Sequence, residues 1–284
     1  MRGIKVVNRA IFVADAVRKA LPFTGKFVET FDYRRFIVVA PPRSGSTMLV
    51  WTLSQHPAIA SYGELFNGAF IGWGKEQAPA FVSQRHLERL CREDGPKFLA
   101  SHIWNGRSPL IRAVGFKILY GQLLVPENKT LAAFLQRDTD LSIIHLVRHS
   151  LLRSYLSLVK SQQTGVYQNE RRQAGYVDRP LTLDPQAVVR YFVGMRRWHA
   201  KIGEMIAGHS VHRLEYGEMV GDWPTASANV FKFLDVDPIA VPPAAGRLST
   251  LSLEESIQNY AEVTERLAHF GLQDEIREGL SDPF

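Results

Sequence analysis

Cysteine is almost absent from this chain of 284 residues, which holds one, Cys91. A single thiol excludes an intramolecular disulfide and any multi-cysteine zinc or iron–sulfur site, and it makes a reducing compartment, the cytoplasm, the default. Long hydrophobic runs are also missing. Asp15 interrupts the longest early apolar stretch, so no segment reaches the ~18 residues of a membrane span. The amino terminus lacks an apolar core followed by a small-x-small cleavage site and reads as mature sequence. Despite 21 glycines and 15 prolines there is no G-x-y period, internal repeat or low-complexity tract, which removes collagen-like and linker-dominated classes. The nine histidines form no H-E-x-x-H and no cluster with cysteine. His209 and His212 stand too isolated to argue for zinc, and no metal is expected.

What is present is the composition of a globular chain, 45% hydrophobic and 22% charged. The net charge of +6 suits a polyanionic ligand, nucleic acid or an acidic membrane surface without choosing among them. Ile4, Val7, Ile11, Ala14, Val17 and Leu21 recur at three- and four-residue spacings, with Lys5, Arg9 and Lys19 elsewhere, and Pro22 ends the pattern. Residues 1–30 are therefore expected as an amphipathic helical segment and residues 31–284 as one domain. Packing against the host domain is the commoner fate of such a helix; peripheral contact with an anionic membrane is the rarer one.

Short β-branched apolar runs at Phe36–Ala40, Ala113–Leu119, Ser142–Val147 and Ser210–Leu214 suit strands buried on both faces, and long helix-favouring stretches separate them. The expected fold class is α/β, a mostly parallel central sheet flanked by helices. Thr47–Gln55 reads as a helix that stops before His56-Pro57. Gln163–Pro185 reads as a polar excursion, lid or plain surface. Ser252-Leu-Glu-Glu255 is a capping-box pattern expected to start a helix running towards His269.

The most informative segment is Pro41-Pro42-Arg43-Ser44-Gly45-Ser46-Thr47, between the first strand and the first helix. In an open α/β sheet such a loop presents backbone N–H groups to an anion. Gly45 permits close approach, Ser44, Ser46 and Thr47 add hydroxyl donors, and Arg43 adds a permanent cation. A nucleotide triphosphatase would carry G-x-x-x-x-G-K-[ST], and neither the second glycine nor the lysine is present. The loop resembles the 5′-phosphosulfate-binding loop of sulfotransferases that use 3′-phosphoadenosine 5′-phosphosulfate (PAPS), in its arginine form. A second strand end carries Arg148, and Ser157 lies nine residues later on the ensuing helix; this pair resembles the 3′-phosphate clamp of the same family.

Ser61-Tyr62-Gly63-Glu64-Leu65 resembles the Gly-Glu-Leu piece of bacterial sulfotransferases that modify nodulation factors and trehalose glycolipids. That resemblance implies Glu64 as general base towards the acceptor hydroxyl. Gly115-Phe116-Lys117 resembles the Gly-x-Lys strand of the same branch and implies that Lys117 faces the reaction centre. Arg213–Glu218 resembles a strand-end region of the family with altered spacing and receives no catalytic role. His145 reads as a satisfied core residue, His149 as a contact to the donor, and Arg247, Ser249 and Thr250 as a third donor contact.

The resemblance implies a PAPS-dependent sulfotransferase with a P-loop-like fold and no required metal. Its acceptor would be a small molecule, carbohydrate or glycolipid, with nucleic acid not expected as a partner. Arg43, Ser44, Gly45, Ser46, Thr47, Arg148 and Ser157 would bind the co-substrate, while Glu64, Arg43 and Lys117 would serve catalysis. The alternatives are a P-loop-type kinase with a degenerate loop and a non-catalytic basic binding module.

Overall fold

The computed structural model describes residues 29–68, 70–76, 78–79, 82–165, 179–243, 251–274 and 276. Most of the expected amino-terminal helix, the middle of the Gln163–Pro185 excursion, and Arg247, Ser249 and Thr250 lie outside the described residues.

Five strands, β1 (Arg34–Ala40), β2 (Ile59–Glu64), β3 (Ala113–Leu119), β4 (Ser142–Val147) and β5 (Ser210–Glu215), form one sheet in the order β2-β3-β1-β4-β5. All four pairings are parallel. The helices are α1 (Ser46–Leu53), α2 (Gln84–Glu93), α3 (Gly95–Phe98), α4 (Tyr120–Leu124), α5 (Lys129–Arg137) and α6 (Leu151–Thr164), then α7 (Pro185–Ile206), α8 (Tyr216–Gly221), α9 (Trp223–Phe233), α10 (Leu253–Ser256) and α11 (Tyr260–His269).

Side chains alternate across β1, and both of its faces are dry. Ile37 and Val39 pack with Phe116, Ile118, Ile143 and the α7 residues Met195 and Ile202. Phe36, Val38 and Ala40 pack on the other side with Leu49 and Leu53 of α1 and Val230 and Phe231 of α9. This double burial is why β1 is a continuous apolar run instead of an alternating one. Gly115 is required where it stands, because a Cβ there would run into the Phe36 carbonyl and ring.

The strand order places the site. From β1 the chain goes to β2 and β3 on one side, then crosses to β4 and β5 on the other. The crevice beyond the carboxyl ends of β1 and β4 is thus the topological switch point, where open α/β sheets bind ligands. The loop 41–45 sits there.

Three expectations needed correction. Ser210–Leu214 reads as a strand buried on both faces, but β5 is an edge strand in which only Leu214 is buried. Residues 59–64 form an edge strand that their composition hides, since Ala60, Ser61 and Gly63 carry little strand preference. The capping box of Ser252 and Glu255 is present, yet α10 ends at Ser256. Leu181 bonds to the backbone of Ser256 and Gln258, pulling Ile257 into an extended bridge, so a separate helix, α11, begins at Tyr260.

Candidate active site

The loop leaving β1 has two left-handed residues, Arg43 (φ 61°) and Gly45 (φ 83°). Alternating conformations of this kind turn successive N–H groups towards one point and form an anion-binding nest. Gly45 precedes α1, and any Cβ there would press on Met219 and on the Tyr216 ring. Ser44 is fully buried and donates its hydroxyl to the Pro41 carbonyl at 2.8 Å, so it closes the loop from inside. Ser46, at the first position of α1, is buried as well.

The two arginines meet. Arg148, just past β4, donates to the Arg43 carbonyl at 2.9 Å, and its guanidinium lies over the Tyr216 ring at 4.0 Å. Arg43 in turn donates from Nε to the Ser157 hydroxyl at 3.0 Å. Arg43, Arg148 and Ser157, far apart in sequence, therefore share one corner of the crevice. Tyr191 on α7 belongs to the same corner: Arg43 and Arg148 act on its phenol electrostatically, while burial, the larger effect, pushes that phenol up to about 12. Its hydroxyl is buried and has no hydrogen-bond partner among the described residues.

A second group forms beside α1. Lys117 on β3 is 5% exposed and contacts Glu64 Oε1 at 2.7 Å; the Glu64 side chain is 23% exposed. The same ammonium donates to Thr47 Oγ1 at 2.7 Å. Burial pushes Lys117 below its ordinary value, Glu64 pulls it back up, and Arg43 adds to the downward push. Glu64 also accepts from Gln122 Nε2 at 2.9 Å and from Asn67 Nδ2 at 3.3 Å.

Glu64 reaches Lys117 through an irregularity. Tyr62 pairs with Phe116, but Glu64 pairs with Lys117, so Gly63 is one residue too many on β2. A one-residue shift in a strand moves a side chain to the opposite face. The bulge thereby puts the carboxylate on the face that Lys117 and α1 share. Gly63 is suited to it, since a Cβ there would lie 2.6 Å from the Gly72 carbonyl oxygen.

Other expectations met different contacts. Ser150 stands at the N-cap of α6, but its side chain makes no capping bond. Ser154 and Ser161, on the same helix, are buried. His149 pairs with Glu215 at 3.2 Å. That hydrogen bond is the main reason the Glu215 carboxyl is held below the ordinary range, with Arg213 adding to it. His145 is buried, bonded to Tyr120 Oη at 2.6 Å and stacked on His199 at 5.4 Å between ring centroids. Burial, helped by His199 and Arg213, pushes it down to about 4.

Sequence reasoning missed Tyr216, Tyr191 and Asn67. Tyr216 alone had a signal, its place at the end of the last strand.

No family model matches the chain. Nodulation protein H from Rhizobium meliloti is 23% identical over 242 residues, covering 84% of this chain and 94% of that protein. Nodulation protein H from Rhizobium tropici is 27% identical over 238 residues, covering 82% and 89%. Among solved structures, a sulfotransferase from Alicyclobacillus acidocaldarius aligns at 18% identity over 86% of this chain and 92% of its own, with a TM-score of 0.46. A mouse sulfotransferase, SULT7A1 complexed with PAP, aligns at 16% identity over 75% and 62%, with a TM-score of 0.36.

Proposed function

We propose that this chain, a sulfotransferase related to nodulation protein H, transfers the sulfuryl group of PAPS to a hydroxyl of a carbohydrate or glycolipid. The observation that carries the reading is the contact of Lys117 with both Thr47 of the anion loop and Glu64. It joins a place for a phosphosulfate to a carboxylate able to take a proton.

In this reading the loop amides, Ser46, Thr47 and Arg43 hold the phosphosulfate, while Arg148 and Ser157 hold the 3′-phosphate. Glu64 accepts the proton of the acceptor hydroxyl as its oxygen attacks sulfur. The bond from sulfur to the bridging phosphate oxygen breaks, and the products are a sulfate ester and adenosine 3′,5′-bisphosphate. Negative charge grows on the leaving oxygen, where a preorganised cation is most effective. Lys117 and Arg43 supply that charge from a partly water-excluded wall.

The domain reading also belongs to this proposal: residues 31–284 act as one catalytic domain, with the preceding segment appended to it. Among the described residues no helix is long and apolar enough to cross a membrane.

The test is transfer of labelled sulfate from PAPS to panels of sugars and glycolipids. Label appearing in a carbohydrate-containing product supports the reading. Transfer confined to phenols or peptides would overturn the acceptor class, and magnesium-dependent turnover of ATP instead would overturn the donor.

A further inference from the structure

We infer that Gln122 on α4 is a positioning residue for Glu64, holding one carboxylate oxygen so that a defined lone pair is left for the acceptor hydroxyl. The inference rests on the reading of Glu64 as the base and adds what aims it.

The amide of Gln122 has no freedom to turn over. Its Oε1 accepts from the Leu119 backbone N–H at 2.9 Å, which leaves Nε2 as the group facing Glu64 Oε2 at 2.9 Å. An amide NH2 can only donate, so this contact is satisfied only by the proton-free carboxylate oxygen. The backbone behind it is fixed too. Asn128 Nδ2 donates to the Gln122 carbonyl at 2.7 Å. Tyr120, two residues earlier, is fully buried and its hydroxyl is shared between His145 at 2.6 Å and His199 at 3.2 Å. Gly121 lies against the Trp198 ring, which leaves a Cβ there about 3.3 Å from it. A short helix tied at three points is an unusual amount of restraint for five residues, and its outcome is a rigid donor aimed at one carboxylate.

A carboxylate offers about four lone-pair sites. Lys117 takes one on Oε1, and Gln122 and Asn67 take two on Oε2. Among the described residues one direction remains. A base limited to one open direction selects the acceptor hydroxyl by geometry, as near-attack positioning requires. Among the described residues, the charged group in contact with this carboxylate is Lys117 from β3, on which Arg43 from the loop acts electrostatically; the groups offered by α4 and by the turn after β2 are neutral amides.

The test compares Gln122→Met and Gln122→Glu with the parent enzyme in the labelled-PAPS assay, using an acceptor that scores in the sugar and glycolipid panels. Losing a donor to the carboxylate favours its protonated form, so the acidic limb of kcat/KM should move up by about one pH unit in Gln122→Met. Gln122→Glu retains an acceptor for Leu119 but sets a second carboxylate against the first, and the limb should move further up. A role in folding alone would lower the rate without that ordered displacement.

An unmoved limb in both variants overturns the inference. Glu64→Gln, run alongside, separates the two ideas. A limb that persists there overturns the base itself, whereas a limb lost there but unmoved in the Gln122 variants overturns only the positioning role. A crystal structure of Gln122→Met gives a readout needing no acceptor: the Glu64 carboxylate should rotate away from its present direction, and an unchanged orientation would count against us.

Discussion

The two halves of the crevice are built from different kinds of charge. On the proposed reading the donor half rests on two guanidiniums, those of Arg43 and Arg148, each locked into the structure by a hydrogen bond. The acceptor half rests on Lys117 and Glu64, an ion pair whose ammonium burial has already pushed down. A site that must hold an anion uses cations that cannot be discharged, whereas a site that must move a proton uses groups that can. A control pair lies at the other end of β1, where Arg35 and Asp138 make a two-pronged contact of 2.6 and 2.9 Å that satisfies both partners. It is a parallel fork-to-carboxylate contact away from the loop 41–45 and has the form of a structural clasp.

The largest expected effect breaks the acceptor half alone. Glu64→Gln keeps the size and reach of the side chain but cannot accept a proton, so turnover should fall by about two to four decades while donor affinity persists. Its new NH2 would also face either Lys117 or Gln122, donor against donor, while the amide oxygen accepts from the other. Calorimetric binding of PAPS together with single-turnover rates checks the separation, and near-parent transfer by a variant that binds PAPS normally would place the base elsewhere.

Next comes the donor half. Arg43→Ala removes a charge-assisted contact where negative charge develops, for a loss on the order of 2 to 4 kcal/mol of transition-state stabilisation. Because arginine does not titrate, the shape of the pH profile should be retained while its height drops. A profile that changes shape would mean that Arg43 acts chiefly through Lys117, whose ammonium it pushes down.

A third variant tests how the acceptor half is assembled. Gly63→Ala places a Cβ 2.6 Å from the Gly72 carbonyl, a contact that backbone on both sides must move to relieve. The bulge that turns Glu64 towards Lys117 should relax, and misplacement of about 1 Å lowers turnover by about a hundredfold. Donor affinity should be spared, since no donor-site residue lies on β2. Full activity in Gly63→Ala would show that the register shift is not what aims the carboxylate.

The same contrast explains what could be read in advance. The proposed donor half was legible as a place in the fold because a loop of consecutive residues, Pro41 to Thr47, makes most of it, and because β1, β3 and β4 are mostly apolar and buried. Arg148 and Ser157 were legible as a spacing of nine along a strand end and a helix. The acceptor half was named residue by residue through resemblance, but its assembly was not visible. β2 has the wrong composition for a strand, and the bulge at Gly63 has no signature apart from a glycine beside a glutamate. Gln122 and Asn67 converge on Glu64 from a helix 58 positions away and a turn three positions away, relations that no periodicity carries. Tyr191 owes its character to burial that its sequence position did not announce, whereas His145, inside an apolar strand, reads as a core residue and is buried there.

The smallest expected effect, and the finest test of the contrast, concerns Arg148. It does two things at once: it donates to the Arg43 carbonyl, supporting the loop, and its guanidinium lies 4.0 Å over the Tyr216 ring, at the end of β4. If its main business is the 3′-phosphate, Arg148→Ala should weaken PAPS far more than adenosine 5′-phosphosulfate, which lacks that group. A hydrogen bond to a charged group contributes about 1.5 to 3 kcal/mol, so the selectivity between the two donors should narrow by roughly ten- to a hundredfold. If instead Arg148 serves mainly to hold the Arg43 carbonyl, both donors should weaken together, because each places its phosphosulfate in the same loop. Calorimetry with both donors on the parent and the variant decides it. Arg148→Lys sharpens the result, since an ammonium restores the charge for the phosphate but neither the planar fork nor the stacking on Tyr216. Recovery of selectivity by lysine without recovery of overall affinity would assign the phosphate to the charge and the loop to the geometry.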